Sequence, residues 1–401
     1  IYNSKADFDT FFNNITIPTQ VTANEAYAHV ASTSSIIQDG HTLFYPDYEL
    51  IKSNNETGYF IPLSVFWNGT SLFIKEHYSD DIIFIKGAKI IVINGVKSEK
   101  IIAFMLQRMM RDGNNFNYPI WVINQYFFEY YSYFYGYPKE FQILLENRDG
   151  KQDELTIEGL LKADLLNKIK VHRKEEQAIS LAFNNPNSTA VLTIKDWHSN
   201  VLRKYCKQNF KKEIISIFEQ IQAQNIKNLI IDVRDNQGGD TKNSKLLLSY
   251  LLDQPFELVE DYKVAKNGKV VDAKGPQMGW HKVRKERFKG RLFVLINGGS
   301  FSNTGIFCSV LKKYNRAIFI GEETGGSEFV ICGSPKTTTL PNTRIQVDIP
   351  RLQFLIKAYK LNELSGVKPN HEIKPTIQDL INEKDVVKEF AIQLIEEDIQ
   401  N

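Results

Sequence analysis

Hydrophobic positions change rhythm along this chain, and each rhythm predicts a different kind of element. Lys5-Ala6-Asp7-Phe8-Asp9-Thr10-Phe11-Phe12 repeats apolar residues at helical spacing. A second helix is expected from Ala23 to Ile37, with Gly40 as its C-cap, so that His41 falls between a helix and a strand. From Thr57 the runs shorten to strand length: Tyr59 to Leu63, Ser71 to Ile74, and a long run from Ile82 that ends at Asn94-Gly95, a tight-turn signal. Lys97 to Met110 reads as helix, and Phe141 to Leu145 with Asp149-Gly150 as a hairpin. Between them, Tyr126 to Tyr135 is dense in Tyr and Phe, and core of a small domain is preferred there to a peptide-binding surface.

Beyond about Lys170 the pattern settles into α/β alternation. Ala190 to Ile194 predicts a strand, Tyr205 to Gln224 a long helix, and Asn228 to Arg234 a buried strand. Asp235-Asn236-Gln237-Gly238-Gly239-Asp240 then leads into a helix reaching Leu252. The plan of apolar strand, glycine turn and helix recurs from Arg291. A short strand over Ala317 to Ile320, paired strands over 335–357 and one terminal helix complete the chain. The pattern divides the chain at 1–57, 58–165 and 166–401, and 401 residues is ample for two or three domains.

Composition adds exclusions. With 42% hydrophobic and 24% charged residues the chain reads as an ordinary folded protein, and a net charge of +2 predicts neither a strongly basic nucleic-acid face nor an acidic tail. Three cysteines, far apart and without CxxC spacing, point to no metal site. No apolar run is long enough to span a membrane, no basic and apolar leader opens the sequence, and no motif calls for a metal or organic cofactor.

Chemistry concentrates in Phe293-Val-Leu-Ile-Asn297-Gly298-Gly299-Ser300-Phe301-Ser302-Asn303-Thr304-Gly305. Ser302 stands where a helix begins, beside free backbone N–H groups and the positive end of the helix dipole. A nucleophile there would find its oxyanion already provided for. The plainer reading makes Ser302 an N-cap, the commoner fate of a serine before a helix. The Gly238-Gly239 turn has neither GxxxxGK[ST] nor GxGxxG, and its glycines instead permit close backbone approach by a substrate.

Taken together, Asn228 to Gly239, Val294 to Gly305, Arg316 to Gly325 and Gly366-Val-Lys-Pro-Asn370 resemble the tail-specific (C-terminal-processing) serine peptidase family. The resemblance implies a crotonase-like β/β/α spiral core and a degenerate PDZ-like domain over 58–165, behind an N-terminal helical segment. It implies Ser302 as nucleophile, with the N–H groups of Asn303 and of the Gly238-Gly239 turn as oxyanion hole. The lysine that activates the serine in the processing peptidases is Ser327 here, and the acidic residue usual in the nucleophile helix is Gly305.

The tricorn-like branch of that family uses a histidine and a late glutamate instead. Asp39-Gly40-His41-Thr42 resembles its histidine motif, with Gly40 where tricorn has serine, and Glu363 matches the glutamate's place. His41 is then the general base. His29, His198 and His371 sit in no matching motif. Implied partners are peptides or unfolded protein ends, and the implied setting is extracytoplasmic, at the periplasm or envelope. The alternative is an inactive homologue that binds peptides or apolar ligands. A hydrogen bond between Ser302 and His41 is what separates the two.

Overall fold

The computed structural model describes residues 3–79, 86–172, 177–184, 188–358 and 365–400. It is a mixed α/β fold. At its centre lies a six-stranded sheet in the order Ile179–Asn184, Thr189–Ile194, Asn228–Asp232, Arg291–Ile296, Ile318–Gly321, His371–Glu372. The first two strands pair antiparallel and the others parallel. Asn228–Asp232 is buried at every position because helices cover both faces. Leu229 and Ile231 face a core shared with Ile214, Leu247 and Val310, while Ile230, Phe293, Leu295 and Ile320 pack under Val387, Ala391 and Ile395 of the terminal helix.

A second sheet runs Leu63–Trp67, Leu72–His77, Lys89–Ile93, Glu140–Glu146, Gln152–Glu158, all antiparallel. Asn94 and Gly95 turn with φ 46° and 76°. The aromatic stretch lies in the helix Asn117–Tyr135, where Phe127, Phe128, Tyr131, Tyr133 and Phe134 are buried, so the core reading holds. A third, antiparallel sheet joins the hairpin Val330–Thr339 and Gln346–Leu355 to Asp261–Lys266 and to a three-residue strand, Leu43–Tyr45.

Several boundaries differ from the pattern reading. The helix expected over Ala23 to Ile37 is two, Ala23–Ala31 and Ser34–Ile37. Between them the hydroxyls of Ser32 and Thr33 donate back to the His29 and Val30 carbonyls, competing with helical bonding. Gln38, not Gly40, takes the left-handed C-cap, with φ 53°. The helix expected from Tyr205 is likewise interrupted: Ser199–Tyr205 ends before Lys207 (φ 57°), and Asn209 caps a new start at Phe210. The chain closes on two helices, Ile377–Ile381 and Val386–Gln400. Part of the run from Ile82, and Glu363, lie outside the described residues.

The N-terminal end of the aromatic helix reaches into the turn after Arg291–Ile296. A side-chain carbon on Gly299 would lie 2.5 Å from the Trp121 indole, whose Nε1 is held by Asp235 Oδ1 at 2.7 Å. With the ring fixed, Gly299→Ala is expected to lower stability by about 1–3 kcal/mol. A melting temperature within about 1 °C of wild type would show that the indole yields freely.

Candidate active site

The strands Asn228–Asp232 and Arg291–Ile296 pair in parallel, Asp232 opposite Leu295, so the turns that follow them emerge side by side. They are laced together. Asp235 N–H donates to Asn297 Oδ1 at 3.0 Å, and Asn297 Nδ2 returns a bond to Asp235 Oδ1 at 2.8 Å. Phe301 N–H and the Thr304 hydroxyl both donate to Asn236 O, at 3.1 and 2.8 Å. Ser300, the other serine of the turn, is buried and donates to Val233 O.

Ser302 sits between those fixed neighbours with φ 56° and ψ −122°, a conformation that costs a non-glycine residue roughly 1–3 kcal/mol. It occupies the N-cap position of the helix Asn303–Lys313, yet its hydroxyl caps nothing. Instead Ser302 Oγ lies 2.9 Å from His41 Nε2. Gly238, at φ 107°, backs onto this turn, where a side-chain carbon would come within 2.7 Å of Ser302 Cβ. Its own N–H is committed to Asn236 Oδ1 at 3.0 Å. Of the three amides expected to form an oxyanion hole, Asn303 and Gly239 have no hydrogen-bond acceptor among the described residues, and Gly238 has one.

His41 is brought here by the strand Leu43–Tyr45, which pairs with Gln346–Asp348. Its ring stacks on Phe301 at 4.9 Å, Phe301 on Tyr118 at 3.9 Å, and Tyr118 on Trp121 at 5.8 Å. Burial pushes the imidazole pKa down, opposed by the Asp39 charge. The ring is therefore neutral near pH 7. Its Nδ1 is buried and meets no partner among the described residues.

Behind His41 lies a pair of buried carboxyls. Asp39 Oδ1 accepts from His41 N–H at 2.9 Å and from the Thr42 hydroxyl at 3.1 Å. Asp112 Oδ1 accepts from Gly40 N–H at 2.8 Å, and its Oδ2 from Ser327 N–H at 3.1 Å. Burial first, then the Asp39 charge, raises the Asp112 pKa to about 7. Sequence reasoning missed Asp112. An aspartate in a polar stretch between helices carries no local signal, and the chain brings Asp112 to Gly40 from 72 positions away.

Ser327, at the place of the family lysine, accepts from Phe329 and Val330 N–H groups and opens the next strand. Lys312 and Lys357, on adjoining segments, both pair with Glu328. His198 is bound by Asp196 at 2.9 Å and His371 lies tilted against Phe390, while it is His41 that meets Ser302. Among the described residues no helix is long and apolar enough to cross a membrane, and no three His, Cys, Asp or Glu gather as for a metal.

Residues 188–373 match the model of peptidase family S41. The chain is 28% identical over 158 residues to the tail-specific protease of Haemophilus influenzae, which covers 38% of this chain and 20% of that protein. It is 25% identical over 166 residues to a probable CtpA-like serine protease of Staphylococcus epidermidis, covering 40% and 30%. The chain thus spans less than a third of the length of these relatives. Its fold is similar to the crystal structure of mature CPAF, with TM-score 0.67 at 15% identity over 95% of this chain and 90% of that one.

Because Asp112 binds its proton more tightly folded than unfolded, its contribution to stability is fullest below its ordinary value of 3.8 and falls as pH rises toward 7. Asp112→Asn removes that fall. The melting temperature of the variant relative to wild type is expected to rise between about pH 4 and pH 8. A difference independent of pH would mean that Asp112 is not protonated in the fold.

Proposed function

We propose, from the match of residues 188–373 to peptidase family S41, that the chain is a serine peptidase with Ser302 as nucleophile and His41 as general base. The observation that carries this reading is the 2.9 Å contact between Ser302 Oγ and His41 Nε2, made by a serine in a strained turn that caps no helix. A neutral imidazole with Nε2 unprotonated takes the hydroxyl proton as Oγ attacks the scissile carbonyl carbon. The N–H groups of Asn303 and Gly239 hold the resulting oxyanion, with the Asn303–Lys313 helix dipole behind it. His41 then gives its proton to the leaving amine. An acyl-enzyme remains, which water cleaves by the same steps in reverse order of partners.

That tautomer leaves a proton on His41 Nδ1, which needs an acceptor. We assign this role to Glu363, the residue the resemblance puts in the place of the tricorn-like glutamate. The lack of any other acceptor for Nδ1 among the described residues supports it. On the same reading residues 58–165 form a PDZ-like module, 166–401 a crotonase-like core, and 1–57 the segment that delivers the base. Substrates are peptides or unfolded protein ends, and the setting is extracytoplasmic, as the resemblance implies.

A phosphonofluoridate probe, read by intact mass, tests the assignment. One adduct is expected on wild type, absent in Ser302→Ala and formed roughly 100-fold or more slowly in His41→Ala. Labelling of His41→Ala at the wild-type rate would remove the base, and no adduct on folded wild type would remove the nucleophile. Glu363→Gln should slow the same reaction by about tenfold or more, and an unchanged rate would exclude it from the relay. Since the His41 pKa is lowered, the labelling rate of wild type should rise with pH through a midpoint below 6.5. A midpoint above that value would contradict a buried, neutral base.

A further inference from the structure

A net charge of +2 predicts no concentrated basic surface, but the fold gathers one that the average conceals. A groove of about 740 Å³ lies where the helices Phe210–Ala223 and Thr241–Leu251 begin, facing the segment from Trp280 to Arg284. Arg203, Lys211, Lys242, Lys245, Lys282 and Arg284 line it, and no carboxylate does. Their compensation is slight. Lys242 stands 3.5 Å from Asp240, Lys245 donates to Pro276 O, and Arg284 lies 5.4 Å over the Tyr250 ring. Arg203, Lys211 and Lys282 are exposed.

Two of these cations occupy unfavourable ground. Lys211 and Lys242 are in the first turns of their helices, where the dipole repels positive charge and favours an anion. His281, on the same lining, has its pKa lowered chiefly by burial, with the Gln277 carbonyl and Glu257 opposing and the Lys245 charge adding to the fall. The groove is also next to the catalytic turn. Asn243 lines it, and the adjacent Ser244 donates to Asn303 Oδ1 at 2.7 Å. Ser199 lines it too, and a side chain on Gly239 would strike the neighbouring His198.

We propose that this groove binds an acidic stretch of polypeptide, rich in Asp and Glu, belonging to the substrate that reaches Ser302. Continuity with the Ser302 turn favours a polypeptide. The lining offers one exposed aromatic, Trp280, rather than the succession of stacking platforms that single-stranded nucleic acid uses. Cleavage of the bound peptide rests on the peptidase reading; its binding does not.

The test separates these. A fluorescein-labelled Asp/Glu-rich dodecapeptide and its Asn/Gln counterpart are titrated with Ser302→Ala protein and followed by anisotropy. The acidic peptide is expected to bind roughly tenfold or more tighter at about 50 mM salt, with the preference shrinking at about 300 mM. Reversing Arg203, Lys211 and Lys282 to Glu should abolish the preference, and so should their replacement by Gln. Reversing Lys151 and Lys336, which do not line the groove, should leave it intact. Equal binding of the two peptides, indifference to the groove substitutions, or displacement of the acidic peptide by single-stranded DNA of equal charge at lower concentration overturns the proposal. If acidic binding passes every arm while folded wild type takes no phosphonofluoridate adduct, the peptidase reading falls and the groove stands as a site for acidic polypeptide. If wild type cuts both peptides alike and the preference is absent, the groove falls alone.

Discussion

The structure depends on one crowding constraint: two adjacent parallel strands end level, and the turns after them must share a single volume. Asp235 and Asn297 meet that constraint by exchanging hydrogen bonds across the gap. Asn236 O takes donors from both sides of Ser302, from Phe301 N–H and the Thr304 hydroxyl. With its neighbours fixed, Ser302 is left in a backbone conformation it would not choose, which is how strain is retained in a folded protein. The same crowding leaves space for the Trp121 indole only because residue 299 has no side chain.

Onto this fixed turn the N-terminal segment brings His41. Two means hold it there. The ring stack through Phe301, Tyr118 and Trp121 ties His41 to the aromatic helix and, through Asp235, back to the paired turns. The Asp39 and Asp112 carboxyls hold the backbone at residues 40 and 41 from the other side. Asp112 keeps its proton to higher pH chiefly because it is buried, and the neighbouring Asp39 charge adds to that.

What was legible in the sequence follows from range. The two strand–turn–helix units could be read locally, because apolar runs, glycines and helix starts fall within a dozen residues. That Ser302 caps no helix could not, since the partner of its hydroxyl is His41, 261 positions away. Family resemblance supplied His41 where a lone histidine carried no signal. The helices break near Ser32 and Lys207 where the apolar spacing predicts continuity, because hydroxyls bonding back to carbonyls and a left-handed lysine leave that spacing undisturbed. The basic groove was invisible for a related reason: its cations come from three separate stretches that only the fold brings together.

The strand that carries His41 is short. Leu43–Tyr45 pairs with its neighbour at three positions, and the helix Lys5–Asn14 before it buries none of its residues. Ser302, by contrast, is set between the central sheet and its covering helices. The two halves of the site thus come from different parts of the fold, one from the central sheet and one from a short strand of another sheet. Any local opening of that strand would part His41 from Ser302 with nothing altered at the serine.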